Sequence, residues 1–283
     1  MPTEKFIKVL IWKPYKQTFD VLKMKRFKPK DANKHYESLQ LYANTRTKEI
    51  CEMSVPFVKI TDRYGRLISR VTLILGGIKP QNTQDKVLRD LLADIFDCLY
   101  ESRFLIMASK LNVAFPIARR AYESLSLMSL CAIDKSWAEK WQKGQKIGNA
   151  VIRKELGKHP IGEQEEELKK LYNYFCSATH PNRELIPSRF LGEGNQYVLG
   201  VIGQPNLLMV FDYFIKILEM WFWFTAIVSY FYREKITEVD KAYFNSYMQT
   251  AKEAQNVKQW LVENFNNLLK KEKEFWHQHT VKV

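Results

Sequence analysis

Charged residues interrupt an otherwise apolar stretch of this chain at Arg119, Arg120 and Glu123. The stretch runs from Leu111 to Ile133 and is predicted to be helical. Arg119 and Glu123 are four residues apart, so they share a helix face and can form an ion pair. A buried charge needs such a partner. The pair is therefore either a structural contact between helices or part of a site for an anion.

A second polar segment lies near the end of a later predicted helix. Ser177, His180, Asn182 and Arg183 follow one another there at short spacing. The carbonyl end of a helix favours a protonated imidazole, which suits His180 for proton transfer. The alternative is a helix C-cap, in which the His and Asn side chains bind free backbone carbonyls.

The two segments together resemble a known family. Their sequences are RRAYESL, from Arg119, and LYNYFCSATHPNRE, from Leu171. They are similar to a HEPN-like group with an Arg-xxx-Glu helix and a Ser-xx-His-Pro turn. The resemblance covers about residues 83–235. It implies a helical bundle, often a homodimer, linked to RNA cleavage, defence or toxin–antitoxin systems.

The resemblance also implies roles for individual residues. His180 would be the general acid or base, and Arg119 or Arg183 would steady a phosphate. Glu123 would orient the arginine, and Ser177, Asn182 and Arg120 would contact the substrate. Active ribonucleases of the family carry an Arg that is separated from the His by four to six residues, whereas this chain has Asn173, Tyr174 and Phe175 at the corresponding positions, five to seven before His180. The alternative function is therefore a non-catalytic, partner-binding or regulatory bundle.

The motifs of the common cofactor enzymes are missing from the sequence. GxxxxGK[ST], HExxH and GxSxG do not occur. None of the five histidines has metal-ligand spacing with Cys or carboxylates, and the four cysteines form no CxxC pair. We therefore predict no cofactor, no metal and a reducing, cytoplasmic environment.

Periodicity predicts a mainly α protein with an up-and-down helical bundle over residues 81–283, and the resemblance implies that this bundle is HEPN-like. Residues 1–80 are predicted to form a small, basic, mixed element. Strands are expected at 5–15, 57–60 and 67–75, the last two joined by a turn at Asp62–Gly65. Pro116 is expected to open one helix, and Thr237 with Asp240 to cap another.

The net charge of +13 is concentrated near the N-terminus. Residues 1–50 hold 12 Lys/Arg against 5 Asp/Glu, with the densest run at Lys23–Lys30. Such a run can bind the phosphate backbone of RNA or another anionic surface. The alternative is a lysine-rich connector exposed to solvent.

The segment Leu207–Tyr232 is apolar and long enough to span a bilayer. Asp212, Lys216 and Glu219 lie on one face of it, and a membrane span would bear that stripe at high cost. We therefore predict a core helix and no stable membrane span. A peripheral membrane contact through the aromatic run 220–224 is the alternative to its use in the core or in a dimer face.

Overall fold

The protein is mainly α-helical. A computed structural model describes residues 32–108, 110–159, 165–179 and 207–279, and these ranges contain helices and no strand. The helices are α1 (Ala32–Met53), α2 (Val55–Gly76), α3 (Thr83–Met107), α4 (Leu111–Ile133), α5 (Lys135–Gln142), α6 (Asn149–Leu156), α7 (Glu165–Thr179), α8 (Leu207–Phe231), α9 (Arg233–Val239) and α10 (Tyr243–His279).

The strands predicted at 57–60 and 67–75 are wrong, because α2 covers both segments. Pro56 lies in the first turn of α2, where its missing N–H costs nothing. Gly65 is not a turn residue but a helical residue, and a Cβ there would come within about 4 Å of Phe96 and Trp221. The apolar residues recur at helical spacing along the whole segment. The buried ones are Phe57, Ile60, Tyr64, Leu67, Ile68, Val71 and Leu75.

The buried side chains of α2 belong to the same core as those of the helices that follow residue 81. The helix packs against α8 and α10. The strand predicted at 5–15 and the basic run at Lys23–Lys30 lie outside the described residues. The division of the chain at residue 80 stays a prediction.

Helix α4 begins earlier than its proline suggests. The carbonyl of Lys110 accepts from the N–H groups of Val113 (3.0 Å) and Ala114 (2.9 Å), so the first turn closes before Pro116. Pro116 therefore lies inside the helix rather than at its start. Because proline has no backbone N–H, the helix lacks the hydrogen bond that position 116 would otherwise donate to the carbonyl four residues earlier.

The capping box predicted from Thr237 and Asp240 is also wrong. Thr237 lies inside α9, where its hydroxyl donates to the carbonyl of Arg233 at 2.8 Å. Helix α9 ends at Val239. The carboxylate of Asp240 accepts a hydrogen bond from the N–H of Ala242 at 3.2 Å and forms an ion pair with Arg70. Asp240 thus serves the start of α10 and ties it to α2.

Helix α8 lies at the centre of the bundle and contacts α2, α3, α4 and α10. Among the described residues, Val210–Phe231 is the single helical stretch that is apolar and long enough to cross a membrane. About half of this stretch is buried inside the protein. This burial agrees with the prediction of a core helix.

The predicted polar stripe on α8 is paired at the surface of the bundle. Glu219 lies 3.5 Å from Lys216 Nζ and accepts from Lys258 Nζ of α10 at 2.9 Å. Burial raises the pKa of Asp212, and neighbouring Glu219 raises it further, although Lys216 and a hydrogen bond from Tyr174 oppose this. The polar face of α8 is therefore satisfied within the protein.

Candidate functional site

Helix α7 is fixed against α4 by a buried tyrosine. Tyr122 is buried, and its hydroxyl donates to the carbonyl of Leu168 at 2.7 Å. Phe175 is also fully buried, with its ring centroid 6.3 Å from that of Tyr122. These contacts bring Tyr172, one helical turn after Leu168, to the face of α4 that carries Arg119.

The ion pair predicted between Arg119 and Glu123 is confirmed. Arg119 Nε donates to Glu123 Oε1 at 2.9 Å, and both side chains are about one quarter to one third exposed. Arg119 Nη2 also donates to the hydroxyl of Tyr172 at 3.2 Å. The carboxylate of Glu123 therefore orients the guanidinium towards α7.

Tyr172 has a second cation beside it, from α6. The guanidinium carbon of Arg153 lies 4.3 Å from the centroid of the Tyr172 ring, and that of Arg119 lies 5.4 Å from it. Cation–π attraction holds both groups near the ring. We call Arg119, Arg153 and Tyr172 the arginine–tyrosine cluster.

Arg153 differs from Arg119 in lacking a carboxylate. Its Nη1 is buried, yet has no hydrogen-bond partner among the described residues, which also offer Arg153 no ion pair. A buried donor without an acceptor costs about 1–3 kcal/mol. Such a group in a folded protein calls for an explanation, and a bound anion would supply the missing acceptor.

The electrostatics keep Arg119 charged. Burial lowers the pKa of Arg119, but the hydrogen bond to Glu123 and the nearby Cys176, Glu123 and Tyr172 raise it, and the net shift is upward. Cys176 is half-buried near the end of α7. The last turns of α7 therefore lie beside the guanidinium of Arg119.

Arg120, the other arginine predicted to contact substrate, lies apart from this cluster. It pairs with Asp94 of α3 and its side chain is 70 % exposed. Asp94 also accepts from the hydroxyl of Ser124 at 2.7 Å. Arg120 therefore belongs to the α3–α4 surface, whereas Arg119 faces α7.

The remaining predicted site residues lie outside what can be described. His180, Asn182 and Arg183 follow α7 in the chain, and no structure is described for them or for the side chain of Ser177. Tyr172 and Arg153 were missed by the sequence reasoning. Tyr172 lies in the segment that begins at Leu171. Its spacing of four residues from Leu168 places both residues on one face of α7, and this spacing could have identified it. No pattern pointed to Arg153.

A cleft adjoins the arginine–tyrosine cluster on the other side of Glu123. It has a volume of about 680 Å³ and lies between α3, α4 and the α5–α6 segment. Trp141, Asn149 and Ile152 line it from the α5–α6 side, and Glu123 lines it from α4. The cluster and the cleft thus share a wall.

The described residues offer no group of three or more His, Cys, Asp or Glu side chains placed to hold a metal ion. The cysteines are free thiols. Burial raises the pKa of Cys98 to about 11 and that of Cys131 to about 12, so both stay protonated at neutral pH. The two thiols are packing residues rather than nucleophiles.

Comparisons with protein-family models, with curated proteins and with solved structures gave no match for this chain. The arginine–tyrosine cluster is therefore the feature of the described residues that bears on function.

We expect the two arginines of the cluster to differ in their effect on stability. Arg153→Met should change the free energy of unfolding by less than about 1 kcal/mol, because only a cation–π contact is lost. Arg119→Met should cost about 1–3 kcal/mol, because it removes bonds to Glu123 and Tyr172. Denaturant unfolding of both variants measures the difference. Equal losses would show that Arg153 is as structural as Arg119.

Proposed function

We propose that this protein is a HEPN-like RNA-binding effector that cleaves RNA without a metal ion. The arginine–tyrosine cluster binds a backbone phosphate of the RNA. The observation that carries the proposal is the buried Nη1 of Arg153, which has no acceptor among the described residues. Homodimerisation, a role in defence or toxin–antitoxin systems and a cytoplasmic location form part of the same proposal.

A phosphate suits the cluster chemically. A guanidinium is a planar fork of N–H donors that matches two phosphate oxygens and stays charged at all physiological pH values. Arg153 would donate Nη1–H to one oxygen, and the positive charge of Arg119, which contacts the same tyrosine ring, would also attract the phosphate.

Cleavage would use the ribose next to the bound phosphate. A general base removes the proton of the 2′-hydroxyl, and its oxygen attacks phosphorus while the bond to the 5′-oxygen breaks. The products are a 2′,3′-cyclic phosphate and a 5′-hydroxyl that takes up a proton. His180 is proposed for the proton transfers, since it follows directly after α7 in the chain.

The arginine that the family carries before its histidine is missing here, and the proposal requires an arginine from another helix to take its place. Residues 173–175 supply no arginine before His180. Arg119 of α4 lies 3.2 Å from the Tyr172 hydroxyl of α7, and so brings a guanidinium to the helix that precedes His180. Its role would be to stabilise the charge that develops on the phosphate.

One observation favours the alternative, a non-catalytic partner-binding bundle. Arg119 is bound to both Glu123 and Tyr172, which is also what a purely structural contact between α4 and α7 would require. Under this alternative, the cluster would hold three helices together and RNA would not bind.

RNA binding by an Arg153 variant separates the two functions. We expect Arg153→Gln to weaken binding of a single-stranded RNA about ten- to hundredfold at low salt, because a charge-assisted hydrogen bond is lost. The dependence of affinity on salt should also become shallower by about one phosphate contact. Fluorescence anisotropy in EDTA measures both quantities.

Lys154→Gln is the matched control, because it removes the same charge from the neighbouring, exposed position of α6. If the two variants bind RNA equally well, the cluster is not a phosphate site. If the wild-type protein binds no RNA, the partner-binding function replaces the proposed one.

A further inference from the structure

The cleft beside the cluster has walls of mixed chemistry. Trp141 presents an aromatic side chain, and Leu91, Leu127 and Ile152 add apolar surface. Asn149 contributes an amide at the start of α6. At about 680 Å³, the volume is within the range typical of small-molecule sites.

The charges on the cleft wall neutralise one another. Asp94 pairs with Arg120, and Glu123 pairs with Arg119 on the far side of the wall. The other charged residues of the lining are one acid and one base, Asp90 and Lys146. An occupant therefore needs no net charge of its own. An uncharged, planar ring with donors and acceptors on its edge fits this lining best.

The cleft is also placed next to the phosphate site. Glu123 lines the cleft and pairs with Arg119 of the cluster, and on α6 the cleft residue Ile152 immediately precedes Arg153. In a nucleotide, the base and the phosphate are joined through one ribose. We propose that the cleft binds an unpaired base of the RNA, stacked on Trp141, beside the phosphate held by Arg119 and Arg153. The identification of RNA as the source of the base rests on the proposed function.

Two variants remove the base site in different ways. Trp141→Ala deletes the stacking surface. Gly148→Phe fills the cleft, because Gly148 has φ −74° and ψ 143°, which any residue adopts, and a Cβ there meets no atom within 4 Å. Gly76→Phe is the control, since its Cβ also meets no atom within 4 Å and it lies on α2, away from the cleft.

The test compares a short single-stranded RNA with the same RNA lacking one internal base. For the wild type and for Gly76→Phe, loss of the base should weaken binding roughly tenfold, the usual scale of stacking on an aromatic side chain. Trp141→Ala and Gly148→Phe should bind the intact RNA roughly tenfold less tightly. They should also become indifferent to the missing base, with Trp141→Phe in between.

The outcomes separate this inference from the proposed function. If Trp141→Ala and Gly148→Phe bind intact RNA as tightly as the wild type while Arg153→Gln does not, the base pocket is overturned and the phosphate site stands. Saturation-transfer NMR with the four free ribonucleosides tests whether the cleft binds a nucleoside when the protein does not bind RNA. Nucleoside binding that needs Trp141, without any RNA binding, would overturn both RNA proposals and leave a pocket for a free nucleoside. Binding of neither probe overturns everything proposed for this face.

Discussion

Replacing Asp85 by alanine is expected to lower the free energy of unfolding by about 3–5 kcal/mol, the usual cost of removing one partner of a buried ion pair. Asp85 is only 2 % exposed and accepts hydrogen bonds from Arg89 Nε (2.9 Å), Arg89 Nη2 (3.1 Å) and the Tyr232 hydroxyl (2.8 Å). The N–H of Gln81 donates to it at 3.0 Å. The substitution leaves the buried hydroxyl of Tyr232 and the Nε and Nη2 groups of half-buried Arg89 without this acceptor, while Arg89 Nη1 keeps its bonds to the carbonyls of Leu75 and Ile78.

The measurement is denaturant unfolding at neutral pH, with Asp97→Ala as the control, since Asp97 is an exposed acid on the same helix α3. The control should change stability by no more than about 0.5 kcal/mol. A similar small change for Asp85→Ala would contradict the structural role assigned to this network.

The pH dependence of stability provides a further check on Asp85. Burial favours the neutral acid, but the hydrogen bonds from Arg89, Gln81 and Tyr232 outweigh burial and lower the pKa of Asp85 to about 2. A group with a lowered pKa in the folded state stabilises the protein above its unfolded pKa and loses this effect as the pH falls. The stability gap between wild type and Asp85→Asn should therefore be constant above about pH 4 and narrow towards pH 2.

Under the proposed function, His180→Ala is expected to lose RNA cleavage, which is the second large effect. If His180 performs the proton transfers, the rate should fall about 10²–10⁴-fold, the usual contribution of a general acid–base group. Single-turnover cleavage of a single-stranded RNA in EDTA measures it. His159→Ala, three residues after the end of α6, serves as the control and should retain the wild-type rate.

The result must be read together with RNA affinity. His180→Ala should bind RNA nearly as tightly as the wild type, since the proposed phosphate site consists of Arg119 and Arg153 and does not include His180. Undiminished cleavage by the variant would remove His180 from the mechanism. Cleavage by neither protein, with binding intact, would reduce the function to RNA binding.

Local patterns allowed part of this account to be predicted from the sequence. The pairing of Arg119 with Glu123 depends only on helical spacing within α4, and the paired face of α8 at Asp212, Lys216 and Glu219 follows from the same period. Asp134 directly precedes α5 and caps it, accepting from the N–H of Ser136 at 2.9 Å, which is a contact between neighbours in the chain. Such contacts need no knowledge of tertiary packing.

Other features depend on how the helices pack and could not be read from local patterns. Arg153 reaches Tyr172 only because α6 and α7 both pack on α4, and no sequence spacing encodes that meeting. The error at α2 is different in kind. Two short apolar runs around Gly65 suggested strands, although the buried residues from Phe57 to Leu75 follow a helical period throughout. Gly65 lies inside this helix, although a glycine between two apolar runs is typical of a turn.

The most direct test of the central claim is to locate bound RNA on the protein. Single-stranded RNA carrying photoreactive 4-thiouridine is cross-linked to the full chain, and the modified peptides are identified by mass spectrometry. The account predicts cross-links on α6 and α7, centred on Tyr172, that are lost in Arg153→Gln and retained in Lys154→Gln. Cross-links confined to the basic run at Lys23–Lys30, or equal in both variants, would contradict it.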